Sequence, residues 1–252
     1  MFILTAKAIG KRLHDSSILE FIDLEVPRGA KWAIVGETGS GKTSLLEILG
    51  GRGQADQGLV MFEGKKVPGI MEKLVAGHEG IGFLSQHFEL PPHYWVHEIL
   101  QYASEMSEKD RQELYEICEI DHLLNRRTNQ LSGGERQRIS RARELSAKPR
   151  LLLLDEPFSN LDAHHKRDMK AILNRISTEL GITLILVSHD ATDVLPWAHH
   201  ILILKKGKII QQGDPITLYK EPRNAYVAGL LGEYNLLDPA NKDLDILNFK
   251  KQ

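Results

Sequence analysis

Hydrophobic and polar residues alternate along the first 35 positions of the chain. Short runs of this kind cover residues 2–9, 18–26 and 31–35, and Pro27-Arg28-Gly29 gives a turn signal between the second run and the third. Period-two alternation is typical of strands with one buried face, and a proline close to a glycine marks a turn between such strands. The N-terminal part is therefore predicted to form antiparallel strands.

Later in the chain, short runs are continuously apolar instead. They cover residues 59–62, 81–84, 151–154, 183–187 and 201–204. Runs of this length and β-branched content indicate strands that are buried on both faces, as in a parallel sheet. We predict that these runs form the core sheet.

Helical spacing separates the apolar runs. It covers residues 44–49, a block from 96 to 124, about 134–147, and about 163–180, where Gly181 provides a C-terminal stop signal. Strands that alternate with helices, preceded by antiparallel strands, indicate an α/β layered fold.

The composition is that of a globular protein. The chain has 252 residues, of which 42% are hydrophobic and 26% charged, and its formal net charge is -2. This length predicts one domain with a sizeable core, and the charge gives no general basic field, so no nucleic acid partner is expected. We expect a cytosolic chain, because it has no signal peptide and no run near the roughly 18 apolar residues of a membrane span. The single cysteine, Cys118, is expected to be a buried thiol on a helix.

A glycine-rich run lies between a predicted strand and a predicted helix. It reads Gly36-Glu37-Thr38-Gly39-Ser40-Gly41-Lys42-Thr43, with Ser44 at the start of the helix. The pattern G-x-x-x-x-G-K-[ST] in this context predicts a phosphate-binding loop, in which backbone N–H groups and the helix N-terminus attract phosphate oxygens. Lys42 is expected to contact the outer phosphates and Thr43 to bind Mg²⁺. The alternative is a flexible glycine turn followed by a surface lysine.

Two adjacent carboxylates follow the apolar strand at residues 151–154. Asp155 and Glu156 are expected at the carboxyl edge of the parallel sheet, where α/β sheets bind their ligands. We expect Asp155 to hold Mg²⁺, directly or through water, and Glu156 to act as the general base that polarises the attacking water. Without the phosphate loop, a helix N-cap would explain the pair equally well.

A second glycine-containing run resembles the signature motif of ATP-binding cassette (ABC) proteins. It reads Leu131-Ser132-Gly133-Gly134-Glu135-Arg136-Gln137. A serine cap and two glycines before a helix form another anion site, although a capped helix after a turn would also explain them. In the ABC family this site faces the γ-phosphate held by the partner subunit, so the resemblance implies a head-to-tail homodimer that binds ATP and Mg²⁺. Glu135 occupies a position where glutamine is common in the family, and we do not expect this substitution to abolish activity.

Three further residues occur in the order of the ABC motifs. Gln86 resembles the glutamine that contacts Mg²⁺ and senses the membrane subunit, and Asp162 resembles the residue that communicates between the two nucleotide sites. His189 resembles the switch histidine that contacts the γ-phosphate. Taken singly, they could be a surface amide, a helix cap and a strand-end histidine. The resemblance covers about residues 1–232.

One family position departs from the pattern. ABC proteins usually stack an aromatic side chain on adenine, and that residue should lie near Leu13, where the run is Lys11-Arg12-Leu13-His14-Asp15. His14 could replace the aromatic ring, or Leu13 could supply only an apolar contact. Either substitute should weaken base selectivity modestly.

The resemblance implies a P-loop NTPase core with a mostly parallel sheet, an N-terminal antiparallel β-subdomain and an inserted α-helical subdomain at about residues 87–148. Residues 1–232 would form the ATP-binding domain and residues 233–252 a short tail. Residues 213–222 and 226–235 resemble importer ATPases for sugars, polyamines, ferric iron, sulfate or molybdate. These relatives commonly continue into a C-terminal regulatory domain, which we expect to be absent here because about twenty residues follow Gly232.

A transport ATPase is the function that the resemblance favours. Its implied partners are integral membrane permease subunits, docked at Pro91, Pro92, Tyr94 and Trp95, and an extracytoplasmic substrate-binding protein. The chain would then lie on the inner face of the membrane. The alternatives are a soluble ABC ATPase without a transport role and a nucleotide-binding scaffold without activity.

Overall fold

The computed structural model describes residues 1–14, 16–85, 90–102, 104, 106–159 and 161–233. The strands are β1 Phe2–Leu13, β2 Ser16–Pro27, β3 Lys31–Val35, β4 Gln57–Phe62, β5 Lys65–Lys66, β6 Ile81–Leu84, β7 Leu151–Asp155, β8 Thr183–Ser188, β9 His200–Lys205 and β10 Lys208–Gly213. The α-helices are α1 Lys42–Leu49, α2 Val96–Tyr102, α3 Glu108–Cys118, α4 Gly133–Ser146, α5 Ala163–Glu179, α6 Ala191–Val194, α7 Pro215–Lys220 and α8 Ala225–Leu231. Short 3₁₀ turns lie at Asp121–Leu123 and Thr128–Gln130.

The central sheet is mostly parallel. Its strand order is β10-β9-β3-β8-β7-β6, and only β10 pairs antiparallel with its neighbour. The four leucines of β7 and all six residues of β8 are buried, as expected for strands covered by other elements on both faces. The predictions for residues 81–84, 151–154, 183–187 and 201–204 are confirmed, whereas β10 was not predicted.

The second sheet is antiparallel, with the order β2-β1-β4-β5. The predicted antiparallel pairing of residues 2–9 and 18–26 is confirmed. The prediction was wrong for residues 31–35, because β3 lies in the parallel sheet between β8 and β9, and its residues from 32 to 35 are all buried. It was also wrong for residues 59–62, which belong to β4 and pair with β1, with Leu59 exposed and Val60 buried.

Two hydrophobic cores lie on opposite faces of the parallel sheet. One contains residues of the antiparallel sheet and α1, and the other contains residues of α2, α3, α4 and α5. Helices predicted at about 134–147 and 163–180 are confirmed as α4 and α5. The structure therefore confirms an α/β fold with an antiparallel N-terminal sheet and a block of helices between β6 and β7.

Cys118 lies at the end of α3 and is buried, as predicted. Burial raises the pKa of its thiol to about 12. Within the described ranges, none of the helices is both long and apolar enough to cross a lipid bilayer.

Candidate functional site

The glycine-rich loop connects β3 to α1 at the carboxyl edge of the parallel sheet. Gly41 precedes α1 with a φ of 101°, a left-handed conformation that favours glycine. Because glycine has no side chain to cap the helix, the first N–H groups of α1 stay available for a ligand at its positive end. The loop thus has the architecture of an anion site.

Close packing against β9 constrains the other end of the loop. A Cβ atom on Gly36 would lie 2.1 Å from the carbonyl oxygen of Leu204, so any larger residue would displace the backbone. Tyr226 on α8 holds the same region, because its hydroxyl accepts a hydrogen bond from the Glu37 amide and donates one to the Leu204 carbonyl, each at 3.3 Å. Burial raises the pKa of Tyr226, which keeps this hydroxyl protonated. Tyr226 was not predicted as a site residue, although it lies in the tail run from residue 226 to 235.

The Lys42 ammonium lies inside the loop. It donates hydrogen bonds to the carbonyl oxygens of Gly36, at 2.7 Å, and Glu37, at 3.0 Å, and the residue is 6% exposed. Burial lowers the pKa of Lys42, while Glu156 and Asp155 oppose that shift. The lysine is therefore a positive charge in a site whose other charges are carboxylates.

Thr43 and Asp155 form a candidate metal site. The Thr43 hydroxyl donates to Asp155 Oδ1 at 3.2 Å, which is close to the roughly 3 Å between adjacent oxygen ligands of an octahedral Mg²⁺ ion. One hydroxyl and one carboxylate leave positions for phosphate oxygens and water, a common arrangement for Mg²⁺. Burial raises the pKa of Asp155, and the Glu156 charge adds to the rise. A bound cation would favour the ionised form, so this donor set fits Mg²⁺.

Glu156 and His189 face each other beside the loop. A hydrogen bond of 2.9 Å joins His189 Nδ1 to Glu156 Oε2, and the Glu156 amide donates to the Val187 carbonyl at 3.1 Å. Glu156 has a φ of 50°, a conformation that costs a non-glycine residue about 1–2 kcal/mol. Such strain occurs most often at functional sites, where the surrounding structure enforces it.

Part of the glycine-rich loop, together with Glu156 and His189, lines one cleft of about 490 Å³. The lining comprises Ile18, Thr38, Gly39, Gly41, Lys42, Thr43, Ser44, Glu156 and His189. Leu13 is not among them and is 58% exposed. The apolar side of the cleft is instead formed by Ile18, near the start of β2, which sequence analysis did not single out. Among the described residues, the imidazole of His189 is the one ring in this lining.

The signature run lies outside the cleft. Ser132 caps α4, where its hydroxyl accepts from the Glu135 amide at 3.3 Å and its own amide donates to the Glu135 carboxylate at 2.7 Å. Gly133 and Gly134 form the first turn of this 14-residue helix. None of the residues from 132 to 135 lines the cleft within the described part of the chain. A single chain therefore does not bring its two candidate phosphate sites together.

Two other predicted site residues, Asp162 and Gln86, are not among the described residues that line the cleft. Asp162 caps α5, because its carboxylate accepts hydrogen bonds from the His164 and His165 amides, both at 3.0 Å. This is the helix-cap role that sequence analysis left open. Gln86 lies outside the described residues.

An apolar groove of about 540 Å³ lies on the helical block, away from the cleft lining. Its walls include Pro91, Tyr94, Ile99, Tyr102 and Arg143. Tyr94 and Tyr102 are 55% and 97% exposed, which is unusual for large rings. Pro91 and Tyr94 are two of the four residues predicted to dock a membrane subunit.

Comparisons with known proteins agree with this geometry. The family model described as "ABC transporter" matches residues 19–159. A sulfate/thiosulfate import ATP-binding protein of Shewanella oneidensis is 36% identical over 240 residues, which cover 90% of this chain and 66% of that protein. One of the same description from Synechocystis is 35% identical and is covered over 67% of its length. The chain thus spans about two thirds of the length of these curated relatives.

Solved structures share the fold over most of this chain. The cbiO1 protein of Clostridium perfringens, described as part of an ABC transporter complex, superposes with a TM-score of 0.77 at 27% identity, covering 87% of this chain and 91% of that one. The ATP-binding cassette MJ0796, described as a dimer bound to ADP and phosphate, gives a TM-score of 0.70 at 26% identity, covering 84% and 98%.

Proposed function

Because this chain belongs to the ABC transporter family, we propose that it is the ATP-binding and ATP-hydrolysing subunit of a membrane transporter that imports a solute. The observation that carries the proposal is the cleft that the phosphate loop shares with Glu156 and His189, with Asp155 hydrogen-bonded to Thr43 of its lining. A loop for phosphates, a metal site and a paired carboxylate are the parts that hydrolysis of a γ-phosphate requires.

In this proposal the loop from residue 36 to 44 binds the phosphates of ATP. Its backbone amides and the start of α1 attract the phosphate oxygens, and Lys42 exchanges its bonds to loop carbonyls for bonds to the outer phosphates. Thr43 and Asp155 would hold Mg²⁺, and the bound ion would supply positive charge to the phosphate oxygens. Gln86, as in the family pattern, is proposed as a further ligand.

Glu156 is proposed as the general base. Its carboxylate lines the cleft and is fixed by His189, so it can accept a proton from a water molecule beside the γ-phosphate. His189 is proposed to orient this carboxylate and to contact the γ-phosphate. Hydrolysis then yields ADP and phosphate, which bind both subunits less tightly than ATP does.

The active unit is proposed to be a head-to-tail homodimer. Ser132, Gly133, Gly134 and Glu135 lie at the start of α4 outside the cleft of their own chain, so their anion site is free to face the nucleotide of a second copy. Asp162 would lie between the two nucleotides. ATP would stabilise the closed pair through contacts that the open pair lacks, and this difference converts binding into motion.

Membrane permease subunits are the proposed partners of the groove around Tyr94 and Tyr102. A helix with an apolar face fits an exposed aromatic groove of this kind. The chain would then be a peripheral subunit on the cytoplasmic face, and a substrate-binding protein would complete the importer. Since the curated relatives are described as sulfate/thiosulfate importers, inorganic oxyanions are the first solutes to test.

Two measurements test this proposal. The purified chain should hydrolyse ATP in the presence of Mg²⁺, and no hydrolysis at any protein concentration would reduce the chain to a nucleotide-binding scaffold. Affinity purification from detergent-solubilised membranes should recover an integral membrane protein in stoichiometric amount. Recovery of the active ATPase alone, entirely in the soluble fraction, would favour an ABC ATPase without a transport role.

A further inference from the structure

Arg141 on α4 is a buried cation with few partners. The residue is 4% exposed, its Nε donates to the Gln137 carbonyl at 3.3 Å, and one terminal nitrogen contacts the sulfur of Met169. A guanidinium has five N–H donors, and a thioether is a weak acceptor. Within the described ranges, Arg141 forms no ion pair with a carboxylate.

Such an arrangement is costly without a further partner. Arginine is almost never fully buried unless it is paired, because removing its charge from water carries a large penalty. Burial lowers the pKa of Arg141 to about 10, so the side chain is still a cation at neutral pH. The guanidinium therefore needs an acceptor that the described part of the chain does not supply.

A pocket of about 260 Å³ opens above this side chain, between α4 and α5. The lining includes three buried residues, Arg141, Gln137 and Met169, and two exposed residues, Ser132 and His165. Ser132 caps α4, so the positive end of that helix borders the same space. The pocket thus has a buried cation at its base and a route to solvent.

Two of the three carboxylates that line the pocket are paired with other arginines, Glu119 with Arg138 at 3.3 Å and Glu135 with Arg126 at 3.2 Å. The third, Asp168, forms a hydrogen bond of 2.9 Å with His164, on the exposed side of α5. Among the described residues, Arg141 is therefore the one basic side chain of this lining that forms no contact with a carboxylate. A ligand that completes the site must bring negative charge and oxygen acceptors.

We propose that this pocket binds a small oxyanion, such as sulfate, phosphate or a carboxylate, on the guanidinium of Arg141. The planar guanidinium suits such ligands because it can donate two parallel hydrogen bonds to their oxygens. The pocket shares no lining residue with the nucleotide cleft of the same chain, whereas Ser132, Gly134 and Glu135 at its rim are the residues proposed to face the nucleotide of a second copy. A bound anion would lie next to Ser132, at the start of the signature helix.

Thermal unfolding in sulfate tests this site. The Lys42→Ala background weakens the phosphate loop, which would otherwise bind sulfate too, and chloride at equal ionic strength provides the reference. Sulfate at about 100-fold its dissociation constant should raise the unfolding midpoint by several degrees beyond chloride. The added change Arg141→Met, which keeps an apolar chain of similar length, should abolish that extra rise. Arg175→Met is the matched control, because Arg175 is an exposed arginine paired with Glu179 and should leave the rise intact.

Calorimetry gives a second reading if Arg141→Met folds poorly. With the nucleotide cleft saturated by ADP, sulfate should bind the wild-type chain at one ion per chain, and Arg141→Lys should bind at least several-fold more weakly because it lacks the planar fork. The same titration with phosphate and with acetate ranks the oxyanions by affinity. The titrations are then repeated on the dimer closed by ATP. If a carboxylate of the second copy occupies the pocket in that dimer, sulfate should no longer bind; if the natural ligand is a free ion, sulfate should still bind. Equal sulfate effects in wild-type and Arg141-substituted chains would overturn the proposal.

Discussion

The ring of His189 and the carboxylate of Glu156 lie 2.9 Å apart and share a hydrogen bond. Glu156 follows β7 and His189 follows β8, and these strands are parallel neighbours, so both side chains emerge at the same sheet edge. The contact fixes a carboxylate beside the phosphate loop. It also defines the first experiment on the proposed mechanism.

Glu156→Gln should preserve nucleotide binding and impair turnover. The amide keeps the shape of the side chain and can still bond His189, but it cannot accept a proton from water. We expect the ATPase rate to fall about 10²- to 10⁴-fold, and ATP should then hold the chain as a dimer that gel filtration resolves.

The matched control is Glu179→Gln, an exposed residue at the end of α5 that should leave the rate unchanged. Full hydrolysis by Glu156→Gln would remove Glu156 from the role of general base and leave the proposed assignment without its central residue.

Local patterns were sufficient to predict most of the central sheet and the position of the glycine-rich loop between a strand and a helix. The residues from 151 to 156 combine a continuous apolar run with two carboxylates, and both the strand and its edge position follow from that pattern. The pattern misassigned β3 because its short run follows a turn in an alternating region. Which strands pair is a long-range property, and β3, which begins at Lys31, pairs with strands that begin at Thr183 and His200.

Asp155→Asn should stabilise the nucleotide-free protein in a pH-dependent way. Burial raises the pKa of Asp155 above its ordinary 3.8, so the folded protein binds this proton more tightly than the unfolded chain does. That contribution to stability is present below pH 3.8 and is lost as the pH rises through the raised pKa. The asparagine variant should therefore melt higher than wild type by an amount, on the order of 2 °C, that is larger at pH 7 than at a pH close to 3.8.

The same variant should lose the part of the ATP-induced stabilisation that depends on Mg²⁺. Thermal unfolding with ATP, in the presence of Mg²⁺ or of a chelator, measures this part. A Mg²⁺-dependent shift of wild-type size in Asp155→Asn would contradict the proposed metal site.

Leu13→Trp should improve adenine binding. The side chain of Leu13 is exposed near the end of β1, and the apolar wall of the cleft is formed by Ile18. A ring stacked on the base would contribute about 0.5–1.5 kcal/mol, so we expect ATP affinity to rise about 2- to 10-fold and preference for ATP over GTP to increase. Fluorescent nucleotide titration measures both quantities.

Leu59→Trp provides the control for a general effect of an added tryptophan, since Leu59 is also exposed but lies on β4 and outside the cleft lining. Equal gains from both substitutions, or no gain from Leu13→Trp, would show that position 13 does not reach the base.

Side-chain contacts between segments that are distant along the chain could not be predicted from local sequence patterns. Ile18, Tyr226 and Arg141 have ordinary spacing in their own elements, and each gains its significance from residues far along the chain. An isoleucine in a strand is normally a core residue, and an arginine in a helix is normally on the surface. Only the packed structure places the first in a cleft and buries the second.

Tyr226→Phe should weaken nucleotide binding without unfolding the protein. The substitution keeps the ring under the Lys205 ammonium, 3.8 Å from its centroid, and removes only the hydroxyl that bridges the Glu37 amide and the Leu204 carbonyl. Each lost hydrogen bond contributes about 0.5–1.5 kcal/mol, so the phosphate loop should be less well fixed and nucleotide affinity should fall about 3- to 10-fold. Because Tyr226 does not line the cleft, the KM for ATP should rise more than kcat falls. Tyr219→Phe on the neighbouring α7 is the matched control, since Tyr219 is 62% exposed and takes no part in the hydrogen bonds to Glu37 and Leu204. Identical ATP affinities for the two variants would mean that Tyr226 supports α8 alone and does not position the loop.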